Sequence, residues 1–183
     1  MNNITNLQFD KVITVCRNIF ISKMKDYGAS WRILRPQSVT DQIFIKAKRI
    51  RSIETTGISL VGDDITGEYR AIVNYGIIAL IQLELDCSDT VDLNNEKALV
   101  LYDKYVNAAK KLLQAKNHDY GEAWRGMRIE SYTDMILTKI NRIKTIEKND
   151  GHTETSEGID SNYYDIINYA VFGLIKIMER EEK

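Results

Sequence analysis

Two sets of charged residues stand where an apolar helix face is expected. At about 100° per residue, Ile43, Ala47 and Ile50 share one side of a helix, yet Lys46 and Glu54 fall within or beside that arc and Arg49 lies at its rim. Ile136, Ile140 and Ile143 form the same arc later in the chain, with Lys139 and Glu147 intruding and Arg142 at the rim. Cations set inward in this way suit phosphate oxygens, which lysine meets as a point charge and arginine as a fork. Lys46 and Glu54 are separated by roughly 12 Å along one face. Each therefore needs another partner if buried. Glu54 and Glu147 are candidates to orient the cations or a water, and so are candidate catalytic residues. The alternative is a structural salt-bridge network, or lysine stems running out from the core.

Both sets exist because the chain contains one segment twice. Lys23 to Glu54 aligns without a gap on Lys116 to Glu147 at an offset of 93, with 16 of 32 positions identical. Beyond a polar, Gly-containing loop the offset becomes 94, and Tyr69, Ile72, Asn74 and Tyr75 meet Tyr163, Ile166, Asn168 and Tyr169. Residues that stayed identical while their neighbours drifted were constrained in both copies, by folding or by function.

The best-preserved stretch is Asp26-Tyr27-Gly28 with Trp31-Arg32, repeated as Asp119-Tyr120-Gly121 with Trp124-Arg125. Tyr27, Trp31, Tyr120 and Trp124 are candidates to stack on a base. Arg32 and Arg125, with Arg35 and Arg128, are candidates for phosphate. Otherwise the segment is a helix-capping loop with a Trp plug. Asn74 and Asn168 each interrupt an apolar run, and a buried amide must find partners. It either reads a ligand or cross-links the two copies as a register device. Asp63, Asp64 and Glu68 in one copy, and Glu157, Asp160 and Asp165 in the other, are oxygen donors of the kind Mg²⁺ takes, although carboxylates also gather at helix N-termini because of the macrodipole. Asp165 aligns with Ala71, so any metal role could be confined to the second copy. His118 and His152 do not recur between copies, and no nucleophile–base constellation or Gly-rich phosphate loop is present.

The elements that must position these residues are helices. Phe9, Val12, Ile13, Cys16, Ile19 and Phe20 follow the three-and-four spacing of an amphipathic helix that stops at Gly28. Ser38, with Asp41 three residues on, reads as the N-cap of helix two, which runs to about Glu54. Helix three, from about Gly67 to Leu85, is apolar on most sides and should be central. The second copy predicts helices over about 95–117, 131–148 and 160–182. The expectation is an all-α protein: a first repeat over 1–85, a linker over 86–94 and a second repeat over 95–183, packed about a pseudo-twofold axis as a homodimer would be.

A net charge of −1 supplies no basic field for nucleic acid, so direct binding of RNA or DNA is disfavoured. Two cysteines make no disulfide framework or metal spacing; Cys16 belongs to the core and Cys87 to the linker. The N-terminal residues carry no signal-peptide pattern, and the longest apolar run, Ile77 to Leu85, is broken by Gln82 and Glu84. The expected location is the cytoplasm, and the expected partner is a small molecule rather than a membrane.

The tandem Lys-x-x-Asp-Tyr-Gly-x-x-Trp-Arg loop, the following Ser-x-Thr-Asp-x-Ile-x-x-Lys-x-x-Arg-Ile and the Asn-Tyr in an apolar helix resemble a family first catalogued as a domain of unknown function and later called a nucleotide modification associated domain. The resemblance covers nearly the whole chain, once per repeat, and implies a role in nucleotide or modified-base metabolism. The Asp-Tyr-Gly pattern is also distantly similar to the all-α nucleoside triphosphate pyrophosphatases of the MazG type, which hold Mg²⁺ with a Glu-Glu-x-x-Glu helix and a later Glu-x-x-Asp. Helix one here, Lys11 to Lys25, has no glutamate, and Asp165-x-x-Asn168 fits the second motif only in part. The expectation is a protein that binds a nucleotide or related phosphorylated metabolite through Lys46, Arg49, Lys139 and Arg142, with Asn74 and Asn168 giving polar recognition. If it is an enzyme, Mg²⁺-dependent phosphoanhydride hydrolysis is the expected reaction; the alternative is a non-catalytic helical interaction module.

Overall fold

A computed structural model describes residues 3–60, 62, 64–154 and 157–182. Asp63, named above as a metal candidate, lies outside the described residues. The described residues form six α-helices and no strand: α1 (Asn3–Tyr27), α2 (Pro36–Thr56), α3 (Ile65–Leu85), α4 (Asn95–Tyr120), α5 (Ile129–Lys148) and α6 (Ile159–Glu181). A single 3-10 turn holds each Trp loop, Ser30–Ile33 and Ala123–Gly126.

The helix ends follow from local chemistry. Gly28 and Gly121 take left-handed φ of 62° and 60° just past α1 and α4, where a side chain would be strained. Asp64 and Asn94 cap α3 and α4 by accepting from the backbone N–H of Gly67 and Lys97. The expectation for Ser38 is corrected: Arg35 is the N-cap of α2 and Pro36 opens the helix. A proline at that position has its φ already set and no N–H to leave unpaired, so the helix starts ahead of Ser38. In the second copy Arg128 takes the corresponding place, ahead of Ser131. Asp41 and Asp134 are not box partners of those serines but reach across the repeats, to Lys144 at 2.7 Å and Arg51 at 3.3 Å. These exposed pairs contribute little, but their reciprocity marks a twofold relation.

α3 packs against α6 and α2 against α5 about that axis, while α1 and α4 lie outside this central four-helix layer. Small residues let the axial helices approach. Added to Gly173, a Cβ would stand 2.9 Å from Cε1 and Cζ of Tyr69; added to Gly76, it would stand 2.7 Å from Cγ1 of Ile167. Two hydrogen bonds are then exchanged across the axis. Tyr69 pairs its hydroxyl with Thr133 at 2.7 Å, and Tyr163 pairs with Thr40 at 2.5 Å. All four side chains are buried, in one continuous apolar core to which both repeats contribute.

Gly173→Ala is therefore expected to cost about 1–3 kcal/mol, because the Tyr69 ring it meets is fixed by Thr133 and cannot turn aside. Equilibrium denaturation in urea reads the loss. An unchanged midpoint would mean that the helices do not approach this closely.

Candidate functional site

A cavity lies between the outer helix, the Trp loop and the third helix of each repeat. The first, of about 380 Å³, is lined among others by Lys23, Tyr27, Trp31, Arg70, Asn74 and Tyr75. The second, of about 420 Å³, is lined among others by Lys116, Tyr120, Trp124, Asp165, Asn168 and Tyr169. The duplication maps Lys23, Tyr27, Trp31, Asn74 and Tyr75 onto Lys116, Tyr120, Trp124, Asn168 and Tyr169, so the two are one site built twice. Both volumes suit a small molecule.

Each cavity has a Trp in its wall and a Tyr in its lining that is more exposed. Trp31 and Trp124 are 7% and 6% exposed, and among the described residues neither indole nitrogen has a hydrogen-bond partner. A buried indole N–H normally finds one, so each leaves a donor for an acceptor atom. Tyr27 and Tyr120 are 54% and 72% exposed. Burial, then the neighbouring Tyr75 and Asp26, raise the Tyr27 pKa above its ordinary value. As a base-stacking surface Trp124 is corrected: the Phe172 ring lies parallel to it at 4.2 Å and the Arg125 guanidinium carbon sits 4.4 Å from its centroid. Its face is thus filled by the protein itself. Trp31 has only the tilted Phe20 ring, at 6.4 Å.

The two Trp-loop arginines, expected to meet phosphate, are bound by the protein itself and staple the loops. Arg32 is 2% exposed; its Nε donates to Asp92 at 2.8 Å, and one terminal nitrogen donates to Gln82 and to the carbonyl of Asp86. Arg125 donates to Glu122, Glu179, Thr5 and Gln8 at 2.5–2.9 Å. Each guanidinium thus spends four of its five N–H donors on the protein itself. Gln82 and Lys176, which align with each other, complete the loops by donating to the carbonyls of Arg32 at 3.1 Å and Arg125 at 2.6 Å. Sequence reasoning missed that pair because the two side chains differ in type.

The helix-two cations also have partners other than those expected. Lys46 lies 3.2 Å from Glu68, which Arg49 also bonds. Lys139 lies 2.6 Å and Lys116 2.5 Å from the two oxygens of Asp165. Of the four, Lys139 and Lys116 line the second cavity, whereas Lys46 and Arg49 are absent from the lining of the first. For Lys116, burial acts to lower the pKa, but the hydrogen bond and charge of Asp165 outweigh it and hold the ammonium above its ordinary value. Arg142 is exposed and lies near enough to Tyr169 to favour its phenolate.

Glu54 and Glu147 are corrected as partners of these cations. Glu54 accepts from Thr133 at 2.8 Å, in the Tyr69–Thr133 link across the axis. Glu147 stands in the equivalent position near Tyr163 and Asp41. Neither lines a repeat cavity. Burial raises the pKa of both, and Asp41 adds repulsion at Glu147.

The asparagines divide. Asn74 donates to the carbonyl of Cys16 at 3.0 Å and accepts from Tyr102 of the other repeat at 2.8 Å, the cross-linking role. Asn168 donates to the carbonyl of Ala109 at 3.2 Å, and its buried Oδ1 has no partner among the described residues. The residue aligned with Tyr102 is Phe9, which has no hydroxyl to offer.

The sequence profile of the family described as "Nucleotide modification associated domain 1" matches residues 23–83 and again 116–177. The chain belongs to that family, in tandem form. Each match runs from the cavity lysine, through the Trp loop, into the last turns of the third helix, and so contains most of one cavity's lining. No curated protein and no solved structure matches this family member. No helix among the described residues is long and apolar enough to cross a membrane.

Arg32→Met is expected to destabilise the fold by about 2–3 kcal/mol, because it strips the donors from Gln82 and the Asp86 carbonyl; a melting temperature within a degree of the parent would contradict the staple. The two glutamates give a pH test. A folded pKa raised above the unfolded value favours folding below the unfolded pKa, and that contribution is lost as pH rises through the folded one. Glu54→Gln with Glu147→Gln should therefore gain in melting temperature over the parent from pH 4 to pH 7. A gain that is greater at pH 4 would reverse the sign.

Proposed function

We propose that this family member binds nucleotides, or related phosphorylated nucleoside-like metabolites, through the two cavities. The observation that carries the reading is recurrence. The duplicated loop encloses a cavity of ligand size in both repeats, and in both it leaves a buried indole N–H without a partner. Tyr27 and Tyr120 offer exposed aromatic faces to a base. Lys23 and Arg70 in the first cavity offer positive charge to phosphate oxygens, while Lys116 and Lys139 in the second are paired with Asp165. The family's description points to the same chemistry. Such a protein would work where nucleotides are held, in the cytoplasm.

Binding, rather than Mg²⁺-dependent hydrolysis, is the form of the proposal. Mg²⁺ needs carboxylate oxygens that are free to coordinate. Among the described residues no three His, Cys, Asp or Glu side chains gather to hold a metal ion. Glu68 and Asp165 are each already held by two cations, so a metal would have to displace a lysine or arginine. The described donor set does not fit Mg²⁺.

A thermal-shift screen against nucleoside mono-, di- and triphosphates separates this reading from a helical interaction module. A ligand that binds only the folded state raises the melting temperature, by about 2–4 °C for each kcal/mol in a chain of this size. The rise should be reduced in Lys23→Met, at an exposed position lining the first cavity. No rise with any nucleotide at millimolar concentration would sink the proposal.

A further inference from the structure

The two cavities share walls but not charge. In the first, position 71 is alanine, and among the described residues lining it no carboxylate is present. Lys23 and Arg70 have no ion-pair partner among the described residues, and both line the space. In the second, the aligned position is Asp165. Its two oxygens hold Lys116 and Lys139, and Glu157 adds a further negative charge to the lining. Two lysines thus face two carboxylates. The Oδ1 of Asn168, a residue 5% exposed in that wall, also has no donor. The corresponding atom of Asn74 is satisfied by Tyr102.

We infer that the duplicated sites have diverged in ligand: the first repeat's cavity takes the phosphorylated nucleotide, and the second takes an unphosphorylated nucleoside. This rests on the nucleotide reading above. An anion entering the first cavity meets two cations that no described carboxylate pairs with. Entering the second, it must compete with Asp165 for lysines already neutralised, and it meets Glu157. A neutral nucleoside bearing an exocyclic amino group has no charge to oppose. It supplies the N–H that Asn168 Oδ1 lacks and an acceptor for the Trp124 indole.

The chain has two tryptophans, one in each cavity wall. Protein labelled with ¹⁵N-tryptophan therefore reports each site through one indole N–H resonance, assigned with Trp31→Phe and Trp124→Phe. Titration with adenosine and cytidine 5′-monophosphates should move the Trp31 resonance at a concentration at least tenfold below that needed to move Trp124. Adenosine and cytidine should reverse the order. Ala71→Asp should abolish the phosphate preference of the first site, and Asp165→Asn, which keeps the shape and a hydrogen-bonding carbonyl, should let the monophosphates move Trp124. Lys23→Met, at an exposed position, should suppress only the Trp31 response. Equal midpoints at both resonances, or Trp124 responding first to the monophosphates, would overturn the divergence and leave nucleotide binding standing. No movement at either resonance with any of the four ligands would overturn both.

Discussion

The structure depends on how closely α3 and α6 cross. Gly173 admits the Tyr69 ring and Gly76 admits Ile167, and that approach brings the Tyr69 and Tyr163 hydroxyls to Thr133 and Thr40 of the opposite repeats. With both bonds made, α2 and α5 are fixed relative to the axial pair. The outer helices α1 and α4 then lie where Asn74 can tie Cys16 to Tyr102. The cavities are the space left between this outer layer and the third helices, roofed by the Trp loops. A polar link across an apolar axis is also a specificity device, because a slipped pairing would bury hydroxyls without partners.

The Trp loops explain why identity between the copies does not by itself mark a ligand site. Arg32 and Arg125 are identical in type and position, yet each spends its donors on the protein, the first on Gln82, Asp86 and Asp92 and the second on Glu122, Glu179, Thr5 and Gln8. They hold each loop closed over its cavity. Sidedness follows: the arginine anchors one side of the loop, while the Trp beside it presents an indole N–H with no partner among the described residues.

Much of the fold was legible because duplication and three-and-four periodicity are properties of sequence alone. The repeat over residues 23–54 and 116–147 implied the twofold axis, and the apolar character of Ile72–Leu83 on most sides implied a central helix. What stayed hidden were partners set by tertiary contact. Glu68 and Asp165 take up the helix-two cations, but they do not align: Glu68 matches Asn162, and Asp165 matches Ala71. A comparison that looks for identical residues passes over both. The same limit hid Gln82 and Lys176, and it hid the effect of Phe9 standing where Tyr102 stands. Lys23 and Lys116, which line the cavities, were visible as an identical pair, but helix periodicity alone does not say that they face a cavity. Arg70 left no signal of that kind.

Diffraction from crystals grown with a nucleoside 5′-monophosphate shows whether the space behind a Trp loop holds a ligand. Ligand density is expected in the first cavity, with an acceptor atom within hydrogen-bonding distance of the Trp31 indole nitrogen and phosphate oxygens beside Lys23 and Arg70. A cavity filled by the protein's own side chains, or nucleotide bound elsewhere while both indole nitrogens face a dry apolar wall, would contradict it.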